Sequence, residues 1–158
     1  MTEYGGGMEE RPIAQLESVF SRIGATRMVG VPILNPALRV EAVGFRHWEG
    51  RWIGVLVTPW MINLLLLSGQ DAPLESLVLD QKRTWIFPSG TYEFMGLNEA
   101  ELGTCHICPL ISPVTEFATH EAAVMVAREI ARELFSEKTL AHKPVSRRDF
   151  LRVPFLGR

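Results

Sequence analysis

The stretch at positions 52–67, WIGVLVTPWMINLLLL, constrains the fold of this chain more than any other feature. It holds no charged residue, but a membrane-spanning helix needs about 20 predominantly apolar residues, and Pro59 and Asn63 interrupt this stretch near its middle. Proline removes a backbone donor and favours an extended conformation in the residue before it. We therefore predict a buried strand over 51–58, a break, and a second buried apolar segment over 60–67.

The segments around this stretch carry the patterns of further strands. Residues 38–46 alternate between apolar and charged side chains until a phase slip near 42–44, which predicts a β-bulge. Glu49-Gly50 then predicts the turn of a hairpin that leads into the buried strand. Three more strands are predicted, at 85–88, 91–96 and 103–111.

Amphipathic helices are predicted at both ends of this strand region. The first runs from Pro12 to Gly24 with apolar residues at helical spacing, and the second runs from Thr119, a suitable N-cap, to Ser136. The order of elements predicts an α+β fold: a mostly antiparallel β-meander of about four to five strands, with the N-terminal and C-terminal helices packed on one face. Residues 11–136 form one domain in this interpretation, between a mobile tail at 1–10 and a mobile basic tail at 137–158.

Composition narrows the possible classes of function. A net charge of −2 over 158 residues does not favour a general nucleic-acid binder, and two cysteines are too few for a disulfide framework. The first residues, MTEYGGGMEERP, show no basic region followed by an apolar one, so a cytoplasmic location is expected.

No motif indicates catalysis. The four histidines show no metal-binding spacing, Ser89 has no nucleophile-elbow context, and no glycine-rich phosphate loop follows a strand. Cys105 and Cys108 form a single CxxC, whereas a structural zinc site usually takes four ligands. We therefore expect a protein that is not an enzyme and has no cofactor, with idle thiols, a metal site or a redox pair as the open interpretations of the cysteines.

Large amphipathic side chains and carboxylates are the candidates for binding. Trp60, Asn63, Trp85, Tyr92 and Glu93 are of types common in protein–protein contacts, although core packing is the competing interpretation for each. Glu116 and Glu121 flank the start of the last helix, where they either interact with the helix dipole or form an acidic lip for arginines.

The C-terminal segment contains SRRDFLR, which is similar to the twin-arginine export motif. Only six residues follow it, too few for the apolar region of an export signal. It is therefore either a chance similarity in a solvated basic tail or a mimic of a ligand. The residues of this signal-mimic tail are Ser146, Arg147, Arg148, Phe150, Leu151 and Arg152.

Four blocks of the chain, in this order, resemble the HybE family of [NiFe]-hydrogenase assembly chaperones. They are NPALRVEAVGFRHWEG, GVLVTPWMINLLLL, FPSGTYEFMG and CPLISPVTEFATHEAA, and the resemblance covers about residues 30–134. It implies a cytoplasmic, cofactor-free chaperone whose partner is the hydrogenase small-subunit precursor. Such a chaperone binds the precursor's twin-arginine signal peptide and delays export until cofactors and the large subunit are in place. Contacts with the large subunit and with other maturation chaperones are further expectations.

The expected receptor for such a signal combines carboxylates with an apolar groove. We assign Glu93 and Glu116 to the arginines, and the groove to Trp60, Met61, Asn63, Tyr92 and Phe94. The signal-mimic tail could occupy this groove in the same chain, or cause self-association by occupying it in a neighbouring copy. The alternative function is a small metal or redox carrier in the same pathway, using Cys105 and Cys108.

Overall fold

The computed structural model describes the backbone of residues 2–78 and 80–137 and the side chains of residues 13–78 and 80–137. Two helices enclose six strands in the order of the chain. The elements are α1 (Thr2–Thr26), β1 (Glu41–Trp48), β2 (Arg51–Val57), β3 (Ile62–Leu67), β4 (Lys82–Phe87), β5 (Gly90–Glu99), β6 (Gly103–Ile111) and α2 (His120–Leu134).

All six strands form one antiparallel sheet with the order β1-β2-β3-β6-β5-β4. The predicted α+β class is confirmed, but there are six strands rather than four or five. The additional strand is β3, INLLLL, all of whose residues are buried. A strand that is buried on both faces lacks the polar–apolar alternation by which a strand is recognised, and for this reason its type was not assigned.

The two helices pack on opposite faces of the sheet, so the prediction that they share one face is wrong. Leu64 and Leu66 of β3 belong to the core under α2, whereas Leu65 and Leu67 belong to the core under α1. Alternate side chains of a strand point to opposite faces, and the central strands are apolar on both. Both faces of these strands must therefore be shielded from solvent, and α2 packs on one face while α1 packs on the other.

The sheet curls around the α2 core. β1 and β4 lie at opposite ends of the strand order, yet the ring centroids of Trp48 and Phe87 are 4.3 Å apart in a stacked arrangement. The Trp48 ring also meets Trp85 edge-on at 5.8 Å. Aromatic contacts across the two edges therefore close the α2 side, while the α1 side forms the outer face of the curl.

Several local predictions are confirmed and one boundary differs. The register shift between Val43 and Arg46 is the predicted bulge, and Thr119 caps α2 by accepting a hydrogen bond from the Ala122 N–H at 3.1 Å. α1 begins at Thr2, so it includes most of the segment that was predicted to be a mobile tail. Neither helix in the described part is long and apolar enough to cross a membrane.

Candidate functional site

Three connections meet at one end of the sheet, and Asn35 joins them. Its Nδ2 donates to the carbonyl oxygens of Val114 at 3.0 Å and Phe117 at 2.8 Å, and its Oδ1 accepts from the Ala37 N–H at 2.9 Å. The Asn35 N–H donates to the Pro59 carbonyl oxygen at 2.8 Å. The loop before β1, the β2–β3 connection and the segment before α2 are therefore fixed together.

The β2–β3 connection is a tight turn that places Trp60 under α1. Thr58 Oγ1 donates to the Met61 carbonyl oxygen at 2.9 Å and accepts from the Met61 N–H at 2.9 Å. Trp60 is 7% exposed, and a Cβ on Gly24 of α1 would lie 3.2 Å from its ring. Trp60 was expected to edge a groove, but in this structure its ring packs against α1.

A second polar contact connects the start of α2 to β1. His120 is buried, its Nδ1 accepts from the Arg39 N–H at 3.2 Å, and its Nε2 therefore carries the proton and donates to Glu41 Oε1 at 2.8 Å. No binding or structural role was assigned to His120 or Asn35 from the sequence, although both lie in the blocks that resemble the HybE family. Asn35 also precedes Pro36, which indicates only a turn.

Two cavities flank α1 where it meets the sheet. One, of about 360 Å³, is lined by Gly24, Trp60 and the loop before β1, and the other, of about 380 Å³, lies between the first described side chains of α1 and β1. The second is lined by Ile13, Ala14, Glu17, Ala42 and Phe45. Both cavities thus lie along the contact of the described part of α1 with its neighbours, one near the end of the helix and one near residue 13.

Tyr92 and Phe94 do not line a surface groove. Both side chains belong to the core under α2, with exposures of 4% and 0%. Tyr92 OH and Ser89 Oγ share a hydrogen bond of 2.6 Å. Burial raises the pKa of Tyr92, so the phenol stays neutral. Tyr92 and Phe94 face inwards because the even-numbered residues in this part of β5 point towards α2. The alternation pattern shows that these residues share a face, but it does not show which face α2 covers.

The opposite side of β5 is exposed. Glu93 and Met95 point to the α1 face but lie beyond α1, and so do Ile86 of β4 and Pro109 of β6. Ile86 is 72% exposed and Met95 is 41% exposed. We call this surface, formed by Ile86, Glu93, Met95 and Pro109, the open face.

The carboxylate of Glu93 lies within the open face without a charge partner. Within the described part of the chain, no hydrogen bond or ion pair involves Glu93, whereas Glu101 pairs with Arg22 of α1 and Glu99 with Arg27, the residue after α1. On β4, Thr84 pairs with Glu93 and Lys82 pairs with Met95, so the apolar part of the surface is supplied by Ile86, Met95 and Pro109. An unpaired carboxylate beside exposed apolar side chains can bind a cation that is followed by an apolar segment.

The remaining predicted residues of this group lie apart from the open face. Met61 is half-buried beside Trp60. Glu116 is exposed on the segment that leads to α2, between Val114 and Phe117, which both pack in the α2 core. Asn63 points to the α1 face and is fully buried. The structure therefore does not join the predicted residues into a single groove.

Comparison with known proteins places the chain in a family. The family model described as [NiFe]-hydrogenase assembly, chaperone, HybE matches residues 11–153. The chain belongs to this family of hydrogenase assembly chaperones. Its fold is similar to the solution structure of HybE from Escherichia coli, with a TM-score of 0.64, 28% sequence identity, and coverage of 93% of this chain and 85% of that one.

Curated relatives of this HybE-family chain include two HupJ proteins. The hydrogenase expression/formation protein HupJ of Bradyrhizobium diazoefficiens is 36% identical over 87% of this chain and 85% of that protein. The probable rubredoxin HupJ of Rhodobacter capsulatus is 38% identical over 82% of this chain, and the match spans 46% of that protein's length. The HybE family is one of assembly chaperones, a class distinct from enzymes.

The two cysteines of this HybE-family chain do not form a common site. Cys105 belongs to the α1 core and Cys108 to the α2 core, so their thiols lie on opposite faces of β6. Burial raises the pKa of each thiol to about 12, so both are protonated at neutral pH. A metal or redox carrier that uses both sulfur atoms together does not fit this geometry.

The signal-mimic tail, Ser146 to Arg152, lies outside the described residues, as does the predicted basic tail beyond Glu137. The family match nevertheless extends through this motif to residue 153.

Proposed function

We propose that this HybE-family protein binds the precursor of a [NiFe]-hydrogenase small subunit through its twin-arginine signal peptide. By holding the signal in the cytoplasm, it delays export until cofactor insertion and assembly with the large subunit are complete. The observation that carries this proposal is the unpaired Glu93 carboxylate beside the exposed apolar side chains of the open face. A twin-arginine signal has the complementary chemistry, with guanidinium groups followed by an apolar segment.

The open face is large enough in two directions for such a peptide. Met95 lies two residues along β5 from Glu93, about 7 Å away, and Pro109 lies on the neighbouring strand β6. Ile86 pairs with Thr91, the residue two positions before Glu93 on the same face. A guanidinium paired with Glu93 would therefore be followed at once by apolar contacts in either direction along β5.

Substituting Glu93 tests the proposal directly. Because Glu93 is exposed, we expect Glu93→Gln to weaken binding of the cognate signal peptide by about fivefold, less than for a buried charge pair. The measurement is calorimetric titration of the full chain at low and high salt. The difference between wild type and variant should shrink at high salt, because exposed ion pairs are screened.

Asp71→Asn is the matched control, since it removes the same charge from an exposed loop residue. We expect wild-type affinity for this variant. Equal losses in the two variants would attribute the effect to net charge. Full affinity in Glu93→Gln would remove the open face from the site, and Glu116→Gln, measured alongside, would then identify or exclude the second predicted carboxylate.

The tail carries a related proposal about the same site. SRRDFLR has the features of the proposed client, and we propose that it competes for the open face within one chain or between copies. The C-terminal end of α2 supports this, because the Leu134 carbonyl oxygen accepts from the Ser89 N–H at 3.2 Å, beside the β4–β5 turn. The chain therefore leaves the described domain next to the strands that carry Ile86 and Glu93.

A further inference from the structure

Asn63 has a fully buried side chain whose amide has no hydrogen-bond partner within the described part of the chain. Its Nδ2 and Oδ1 are both inaccessible and unpaired, and the residue is 0% exposed. Asn35, the other buried asparagine, makes three side-chain hydrogen bonds. Buried amides without partners lower stability and are rare in native structures. Asn63 therefore carries one donor group and one acceptor group that the fold itself does not use.

We propose that Asn63 binds the main chain of an extended segment of the client polypeptide; this inference rests on the proposed function. The side-chain amide offers one donor group and one acceptor group. A main-chain residue offers the matching N–H and C=O, and so satisfies both atoms at once. A guanidinium would satisfy only Oδ1, and a carboxylate would satisfy only Nδ2.

The position of Asn63 connects it to the open face. Asn63 pairs with Pro109 of β6, and Pro109 is one of the four residues of the open face. Paired strands lie about 5 Å apart, so Asn63 lies directly beside the open face. A peptide whose arginine pairs with Glu93 and whose chain continues across Pro109 would bring its main chain to Asn63.

Access to Asn63 requires a shift of the elements on the α1 face. Leu65, on the same face of β3 as Asn63, lies in the core under α1, and Met61 is half-buried two residues before it. The ion pair of Arg22 in α1 with Glu101 lies at the exposed surface, and such pairs contribute little to stability. Binding therefore exchanges α1 contacts for contacts with the peptide.

Replacing the amide by an apolar group of similar size separates stability from binding. In Asn63→Leu, we expect the thermal midpoint to rise by about 2–8 °C because an unpaired buried amide is removed. The dissociation constant for the signal peptide should increase about tenfold, because two hydrogen bonds to its main chain are lost. Differential scanning calorimetry and peptide titration of the full chain measure the two effects.

Asn98→Leu, at an exposed position of β5, is the matched control and should keep wild-type affinity. An Asn63→Leu variant with unchanged affinity would overturn the inference, and so would one with a lower midpoint, since that would show a partnered amide. If the wild-type protein does not bind the peptide at all, the proposed function fails together with this inference. Wild-type binding with equal binding by Asn63→Leu removes the inference alone.

Discussion

At the scale of single residues, hydrogen-bond partners determine the state of a buried histidine. Trp85 Nε1, which can only donate, lies 3.1 Å from His106 Nδ1. The His106 Nε2 therefore carries the proton and donates to the Glu75 carbonyl oxygen at 2.7 Å. Burial is the largest cause that lowers the pKa of His106, so this ring is neutral in the folded protein at neutral pH. It connects β6, β4 and the β3–β4 connection.

We predict that protonation of His106 destabilises the fold in mild acid. The pKa of His106 is lower in the folded state than the ordinary value of 6.5, so below pH 6.5 the unfolded chain binds a proton that the folded chain does not. The free energy of unfolding should therefore fall as pH drops below about 6.5, by at most about 1.4 kcal/mol per pH unit from this group. Urea denaturation at several pH values from roughly 5 to 8, the range in which histidines commonly titrate, measures this slope.

His106→Gln keeps a donor and an acceptor but cannot titrate, so its slope should be shallower than that of the wild type. His47→Gln changes an exposed histidine and serves as the control. Identical slopes in His106→Gln and wild type would show that His106 does not contribute to the pH dependence.

At the scale of elements, close backbone contacts explain features that the hydrophobic pattern does not. The connection between β3 and β4 crosses β5 at Gly96, where a Cβ would lie 2.5 Å from the Leu77 carbonyl oxygen. Leu77 and Leu74 are buried, so this connection closes one end of the sheet. The sequence identified the short apolar group in this connection but not the strand that it contacts.

We predict that Gly96→Ala destabilises the protein by roughly 1–3 kcal/mol, because the new methyl group meets backbone atoms that cannot move aside at low cost. Chemical denaturation followed by circular dichroism measures the change. Asn98→Ala, at an exposed position of the same strand, should change stability by less than about 0.5 kcal/mol. A Gly96→Ala variant as stable as this control would show that the connection can shift away from β5.

At the scale of the whole molecule, the two faces of the sheet differ in how completely they are covered. α2 and the stacked aromatic rings at the strand edges close one face, whereas α1 covers only part of the other and leaves the open face. The end of α2 lies beside the β4–β5 turn, so ten residues from Glu137 to Arg147 can span up to about 33 Å. This is the length of chain available for the proposed competition of the tail arginines for Glu93, which lies on the face of the sheet opposite to α2.

We predict that deleting residues 144–158 increases affinity for the signal peptide by at least about twofold, because a tethered competitor has an effective concentration in the millimolar range. Peptide titration of the intact and shortened chains is the measurement. The full-length double variant Arg147→Gln, Arg148→Gln should show the same increase. Lower affinity after deletion would instead make the tail a direct contact for the client, and equal affinity would exclude competition.

The sequence by itself determined the local elements of this protein. Pro59 required the break between β2 and β3, the phase slip near Gly44 required the bulge, and Thr119 set the start of α2, because each of these depends on neighbouring residues only. The block pattern also identified the chaperone family, which the comparisons confirm.

Only the tertiary structure decided which side chains are available for binding. Tyr92 and Glu93 are adjacent in sequence, and which of them faces a helix depends on where α1 and α2 lie on the sheet. The same holds for Cys105 and Cys108, which lie on opposite faces of β6. It also holds for Asn63, whose amide is unpaired because none of its described neighbours places a donor or an acceptor within hydrogen-bond distance. These properties come from contacts between residues far apart in the chain, and no local pattern encodes them.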